Sequence, residues 1–270
     1  MTYLIKPSGE VVQHFGVKGM HWGVRKKEPP APLSTERRTI KKGQQLQTVT
    51  AEGGANLNRR VFTSHTKMDN LAYRSTYANS LKYVTNNADT FVNTVVPSRD
   101  LKVASEKDAF DEFKRLYEAD KPGMINALAE SFEASTRLMI GLSDVKDEKM
   151  VDIKRKDFSK KGEAWIDKQG YDLFLTGAGT AREKNELYDS YYSNLAKRGF
   201  DAIVDEVDVK GGLADDPIVI LKPKGSVKVT NTIPLTEADI KLAGQNYKQE
   251  NKRLKAERKA EKKLAKSGGG

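Results

Sequence analysis

The order of sequence patterns assigns this chain to the α+β class. The expected body is a mixed sheet from early and late strands with an inserted helical layer. A disordered N-terminal linker precedes it, and a long basic C-terminal helix follows. Three observations predict this. Strand-like alternation runs through residues 59–66 and 90–105. Helical spacing dominates from there to residue 198. The two strongest β signals, Phe200-Asp-Ala-Ile-Val-Asp205 and Pro217-Ile-Val-Ile-Leu-Lys222, come after the helices. Strands split by helices in this way suggest a sheet that joins early and late segments.

The elements follow in chain order. Residues 28–56 are rich in Pro, Gly, Gln, Ser and Thr. So few apolar side chains cannot offset the entropy of ordering, which predicts a flexible linker. The globular body is expected over 57–235. In Arg59-Arg-Val-Phe-Thr-Ser-His-Thr66, Val61 and Thr63 share one face of a first strand. Residues 73–84 read as a strand or turn leading into a helix. In 90–105 β-branched alternation stops at Pro97, a strand end. Ser105 and Asp108 form an S-x-x-D capping signal before Phe110, Phe113 and Tyr117 at helical spacing. Met124, Leu128, Phe132 and Met139 supply the stripe of a second helix over 121–141. The charged stretch from Asp144 to Glu163 is expected to be loop-like or weakly helical.

A third helix is expected over 181–198, with Leu187, Tyr188, Tyr191 and Leu195 on one side and Gly199 as its stop. The Gly- and Asp-rich run between the two late strands reads as a turn. Residues 226–233 read as a final strand. Thr236 and Asp239 then cap a C-terminal helix over 237–266, within a basic segment 236–270. Ile240, Ala243, Tyr247 and Leu254 fit a heptad only briefly. Glu250, Glu257 and Glu261 break the seam, which favours a solvated basic helix over a coiled coil.

Composition narrows the function classes. Charged residues reach 31%, hydrophobic ones only 37%, and mean hydropathy is -0.65, so segments outside the core are expected. No apolar run is long enough to span a bilayer, so no membrane partner is expected, and the N-terminus lacks a secretory-signal pattern. With no cysteine, disulfides, thiolate metal sites and cysteine nucleophiles are excluded. The net charge of +10 is placed at the two ends. Residues 1–60 hold 11 basic against 4 acidic side chains, and residues 241–270 hold 10 against 3. The stretch between is mildly acidic, 26 against 30. That argues against a basic nucleic-acid groove built into the main fold. It allows basic arms, the C-terminal helix above all, that touch nucleic acid or an acidic surface, or that simply keep the chain soluble.

One short element stands apart. In His14-Phe-Gly-Val-Lys-Gly-Met-His-Trp-Gly-Val-Arg25, two Gly-Val-basic units flank Met20, His21 and Trp22. A dozen residues form no core. As a docking peptide (residues 1–27), the segment would bury Phe15, Met20 and Trp22 as anchors, with Arg25 beside them. Folding back onto its own body is the alternative, and physics alone does not separate the two. His14 and His21 are only two ligands, and the glycines between them oppose a helix, so no metal site is assigned. The twelve residues resemble a motif, roughly H-x-G-V-K-G-M-K-W-G-V-R, of head and structural proteins of tailed bacteriophages of Gram-positive hosts. The visible departure is His21 in place of Lys. The resemblance implies a virion protein tied to head assembly or packaging, with a capsid or portal partner, found in the virion and the host cytoplasm.

The body lacks H-E-x-x-H, G-x-G-x-x-G and Walker A patterns, and Gly177-Ala-Gly179-Thr reads as a turn. Over 57–230 it resembles the C-terminal modules of phage minor head proteins and, through them, the ADP-ribosyltransferase fold. Three stretches carry this: Arg59–Thr63, Tyr73-Arg-Ser-Thr-Tyr77, and the pair Gly199–Glu206 and Asp216–Leu221. The resemblance implies NAD as cofactor. Arg60, with Arg59 second, would hold the phosphates. Ser75 and Thr76 would brace the pocket. One of Glu206, Asp205 and Asp216 would be the catalytic acid, stabilising positive charge as nicotinamide leaves. No E-x-E or Q-x-E pattern stands at the expected place, and Glu206-Val-Asp208 is the nearest substitute. The plainer readings are a solvated strand start for the arginines, a helix N-cap for Ser75-Thr76, and turn acids for the rest. Three functions are thereby expected side by side: a head-associated structural protein, a phage-delivered NAD-dependent ADP-ribosyltransferase, and a DNA-contacting packaging factor.

Overall fold

Two sheets and a helical layer organise the body in a computed structural model of the chain, which describes residues 33–51, 53–85, 88–140, 147–180, 186–211 and 213–267. The five-stranded sheet takes β1 (Arg38–Ile40), β3 (Val61–Thr63), β5 (Leu101–Ala104), β6 (Ala202–Val204) and β7 (Ile218–Ile220), in the order β1-β5-β6-β7-β3. Only the central pair β5 and β6 is parallel, so the sheet is mixed. The second sheet is antiparallel, β2 (Leu46–Thr50), β4 (Thr90–Pro97) and β8 (Val227–Leu235). Gln47 and Ser64 exchange both backbone hydrogen bonds at 2.8 Å and tie the sheets together.

Parallel strands need a long connection that returns the chain to the same end of the sheet. Between β5 and β6 that connection is the helical layer itself. It holds α3 (Glu106–Ala119), α4 (Lys121–Ile140), α5 (Glu148–Phe158), α6 (Glu163–Trp165), a π-helical turn Ile166–Gly170, α7 (Tyr171–Thr180) and α8 (Glu186–Lys197). Its core is aromatic. Phe174 meets Phe113 at 5.3 Å between ring centroids and Tyr191 edge-on at 5.1 Å, all three fully buried. Removing one such ring costs about 3–5 kcal/mol, because it leaves a cavity as well as losing burial. The expected α+β class, mixed sheet, inserted helical layer and C-terminal helix are all present.

The caps explain where helices begin and end. Ser105 and Asp108 form the reciprocal capping box of α3. Gly199 takes φ +90° after α8, a left-handed conformation that a side chain resists. Thr236 and Asp239 cap α10 (Glu237–Ser267) in the same reciprocal way as α3. Ile240 and Ala243 of α10 are buried, and Lys67 of α1 (Lys67–Ala72) reaches Glu250 at 3.4 Å. Beyond Asn251 the exposed side chains of α10 are mostly basic, as expected for a solvated helix.

Several expectations need correction. The described part of the 28–56 linker is folded and carries β1 and β2. The few apolar side chains of its strands suffice because they have cross-strand partners: Leu46 faces Val95, Val49 faces Val92, and Ile40 faces Leu101. Polar Thr48 is buried as well. The body therefore starts by residue 34 rather than at Leu57. Residues 67–84 are helical throughout: α1, a π-helical turn Tyr73–Tyr77, then α2 (Ala78–Val84). Tyr73-Arg-Ser-Thr-Tyr77 is thus no strand. Of the two readings of the charged stretch, loop-like or weakly helical, the helical one holds from Glu148 to Phe158 as α5, anchored by buried Val151 and Phe158. Gly177-Ala-Gly179-Thr180 ends α7 instead of forming a turn. The β6–β7 connection contains a short helix, α9 (Glu206–Gly211). The docking motif, with Phe15, Met20, Trp22 and Arg25, lies outside the described residues.

Candidate functional site at the β6–β7 connection

The chain leaves β6 at Val204, and the next residues place several carboxylates among tyrosines. The Asp205 N–H donates to the Pro217 carbonyl at 2.9 Å, closing the base of the connection. Glu206 opens α9 and is buried, and its Oε1 accepts from the Tyr171 hydroxyl at 3.0 Å. Asp208, two residues on, accepts from the Tyr73 hydroxyl. Burial pushes the Asp208 carboxyl above the usual carboxylate range, and the hydrogen bond from Tyr73 opposes this only in part. Burial also drives the Tyr73, Tyr171 and Tyr191 hydroxyls well above their usual range and raises that of Tyr77, so all four act as neutral hydrogen-bonding groups.

The far end of the connection is held by another set of charges. Asp69, 1% exposed, accepts the backbone N–H groups of Asp215 at 2.7 Å and Asp216 at 3.1 Å. Thr66 positions it by N-capping α1. The Asp216 carboxylate receives a two-toothed grip from Arg38 on β1, and His65 Nε2 lies 3.3 Å away. Those partners hold Asp216 well below the usual carboxylate range against the cost of its burial. A carboxylate so stabilised is a poor proton donor. Its evident work is to clamp β1 to the start of β7.

The sequence-derived candidates divide as follows. Arg60 pairs with Asp189 of α8 at 2.9 Å, and its guanidinium lies 4.4 Å from the Tyr192 ring centroid. The Tyr192 hydroxyl feels Asp205, Arg60 and Glu206, so the cation and two candidate acids share one neighbourhood. Ser75 does not join them. Its Oγ donates to the Leu71 carbonyl at 2.6 Å, and its Cβ faces Gly244 of α10. Thr76 sits half-buried on the same π-helical turn. Arg59 lines a separate groove with Lys222 and Lys224. Arg38, His65 and Asp69 were not among the candidates, and Asp208 and Tyr73 stood only inside the motifs Glu206-Val-Asp208 and Tyr73–Tyr77. Thr66-x-x-Asp69 was visible as a capping signal, but Arg38 was hidden inside the supposed linker.

One family model matches the chain, over residues 6–29. It describes a family of unknown function, DUF7211. The matched stretch contains the whole Gly-Val-basic motif at 14–25. No curated protein and no solved structure gives a significant match. Among the described residues, no helix is long and apolar enough to cross a membrane.

Proposed function

We propose that the chain is a bacteriophage head-associated protein in two parts. Residues 1–27 dock on a capsid or portal partner, and the α+β body travels with them into the virion and the host cytoplasm. The observation that carries this reading is where the chain divides. The matched family segment stops at residue 29, and a few residues later the backbone is stitched into the body. The Ser34 N–H donates to Glu106 at 2.9 Å, and the Lys107 N–H donates to the Ser34 carbonyl at 3.1 Å. Arg37 grips Asp108 with two hydrogen bonds. A recurrent short motif ahead of a body with its own sheets and core supports an address segment joined to a passenger. The exposed basic end of α10 supplies a second contact, to nucleic-acid phosphates. Deleting residues 1–27 is expected to abolish incorporation into heads while the body stays folded by circular dichroism. Equal incorporation of the truncated chain refutes docking. A steep fall in DNA affinity with salt, lost on truncation at Asn251, tests the second contact.

A second reading, an NAD-dependent ADP-ribosyltransferase body, is favoured by the shared neighbourhood of Arg60, Asp205 and Glu206 around Tyr192. Arg60 would exchange Asp189 for a pyrophosphate, and Glu206, oriented by Tyr171, would face the developing positive charge. Ser75, spent on a backbone carbonyl, leaves the bracing role unfilled. Labelled NAD with host lysate tests this. No transfer, together with no rise in melting temperature on adding NAD, removes the reading.

A further inference from the structure

Arginines of this body generally hold a carboxylate: Arg37 with Asp108, Arg38 with Asp216, Arg60 with Asp189, Arg99 with Asp201. Arg59, next to Arg60 in the chain, is an exception among the described residues. Its exposed side chain lines a groove of about 460 Å³ between the entry to β3 and the β7–β8 turn. Lys222 and Lys224 line the same groove, both exposed and without a carboxylate partner among the described residues. No acidic side chain among the described residues lines it. Leu57, Leu221 and Pro223 form an apolar floor, and Asn58 adds an amide.

The turn holding the two lysines is well fixed. Ser226 and Val227 both donate backbone hydrogen bonds to the Pro223 carbonyl at 3.0 Å, and Gly225 takes φ +81°. Three cations therefore line one groove, with no carboxylate partner for any of them among the described residues. Protein cations left unpaired across a concave surface attract an external anion, and guanidinium suits phosphate oxygens best. The groove falls in the size range of small-ligand sites. A nucleoside diphosphate carries roughly three negative charges at neutral pH, by extension from the phosphate monoester, which matches the three cations. Its ring system would cover the apolar floor.

We propose that this groove binds a nucleoside diphosphate, with Arg59, Lys222 and Lys224 on the phosphates. The inference stands apart from both the docking and the Glu206 readings, since it uses none of their residues except Arg59, the second-choice phosphate ligand. Calorimetric titration of the full chain at low salt tests it with pyrophosphate, ADP, NAD, adenosine and a thymidine dodecamer. ADP and pyrophosphate are expected to bind, and adenosine is not. Arg59→Gln and Lys224→Gln should each weaken ADP by about tenfold, the scale of one charge-assisted hydrogen bond. Arg155→Gln, on α5, should change nothing. All three side chains are exposed, so unchanged melting curves are expected to accompany the loss. NAD binding as tightly as ADP assigns the groove to the ADP half of a dinucleotide, and ADP alone assigns it to the free nucleotide. No binding of ADP or pyrophosphate, equal binding by the two groove variants, or binding of the dodecamer without ADP overturns the proposal.

Discussion

Asp69 is the carboxylate on which the far end of the β6–β7 connection depends, and Asp69→Asn tests that dependence with almost no change in volume. Each carboxylate oxygen accepts a different backbone N–H, from Asp215 and from Asp216. An amide offers one oxygen. Its nitrogen must face the second N–H, donor against donor, whichever way it is flipped. The substitution loses one hydrogen bond to a charged acceptor and leaves one backbone donor unsatisfied, together about 2–4 kcal/mol. Typical domain stability is about 5–15 kcal/mol, so the variant folds but with a clear deficit. For a domain of this size that corresponds to a fall in Tm of roughly 5–15 °C. Urea unfolding followed by circular dichroism and by tryptophan fluorescence reads the change in midpoint. Asp69→Asn within about 0.5 kcal/mol of the parent would refute the assignment of both N–H groups to this carboxylate.

Three further outcomes are expected. Asp108 and Asp216 have folded pKa values depressed by their partners, Arg37 for the first and His65 and Arg38 for the second. Their contribution is therefore complete above the unfolded value of about 4 and is lost as pH falls through the range below it. Urea midpoints taken from pH 6 down to pH 2.5 should decline most steeply below about pH 4, and Asp216→Asn should flatten that decline. Gly199→Ala forces a side chain into φ +90° and should cost about 1 kcal/mol, measured by thermal unfolding. Truncation after Asn251 removes the exposed basic end of α10 but keeps Ile240, Ala243 and the Lys67–Glu250 pair. Its Tm should stay within about 2 °C of the full chain, because little apolar surface is lost.

Much of the fold was legible because its signals are local. The Ser105–Asp108 and Thr236–Asp239 boxes and the Gly199 stop each declare themselves within four residues. Continuous apolar runs marked β6 and β7 because both are buried in the middle of a sheet. Strands β1 and β2 were not legible. Three to five residues with polar neighbours gain their stability from partners some fifty or sixty positions away, such as Val95 and Val103. The Tyr73–Tyr77 stretch was misread because tyrosine and threonine favour strands in isolation, whereas packing against α10 keeps it helical. At the candidate site, Glu206 and Arg60 were found by resemblance. Arg38 was not, since an ion pair spanning 178 residues leaves no trace in sequence spacing, and the capping signal at Thr66–Asp69 does not tell that the carboxylate holds the backbone of Asp215 and Asp216.

The pairing of β3 with β7 has a consequence for how the protein is made. Val61 meets Ile220, a residue synthesised 159 positions later. At about 5–20 residues per second, the nascent chain waits roughly 8–30 s on the ribosome before that partner emerges. Until then the side of residues 61–63 that pairs with β7 lacks its partner and is open to pairing with another chain. Yield on overexpression should therefore respond more to translation speed and trigger-factor-like holdases than to equilibrium stability.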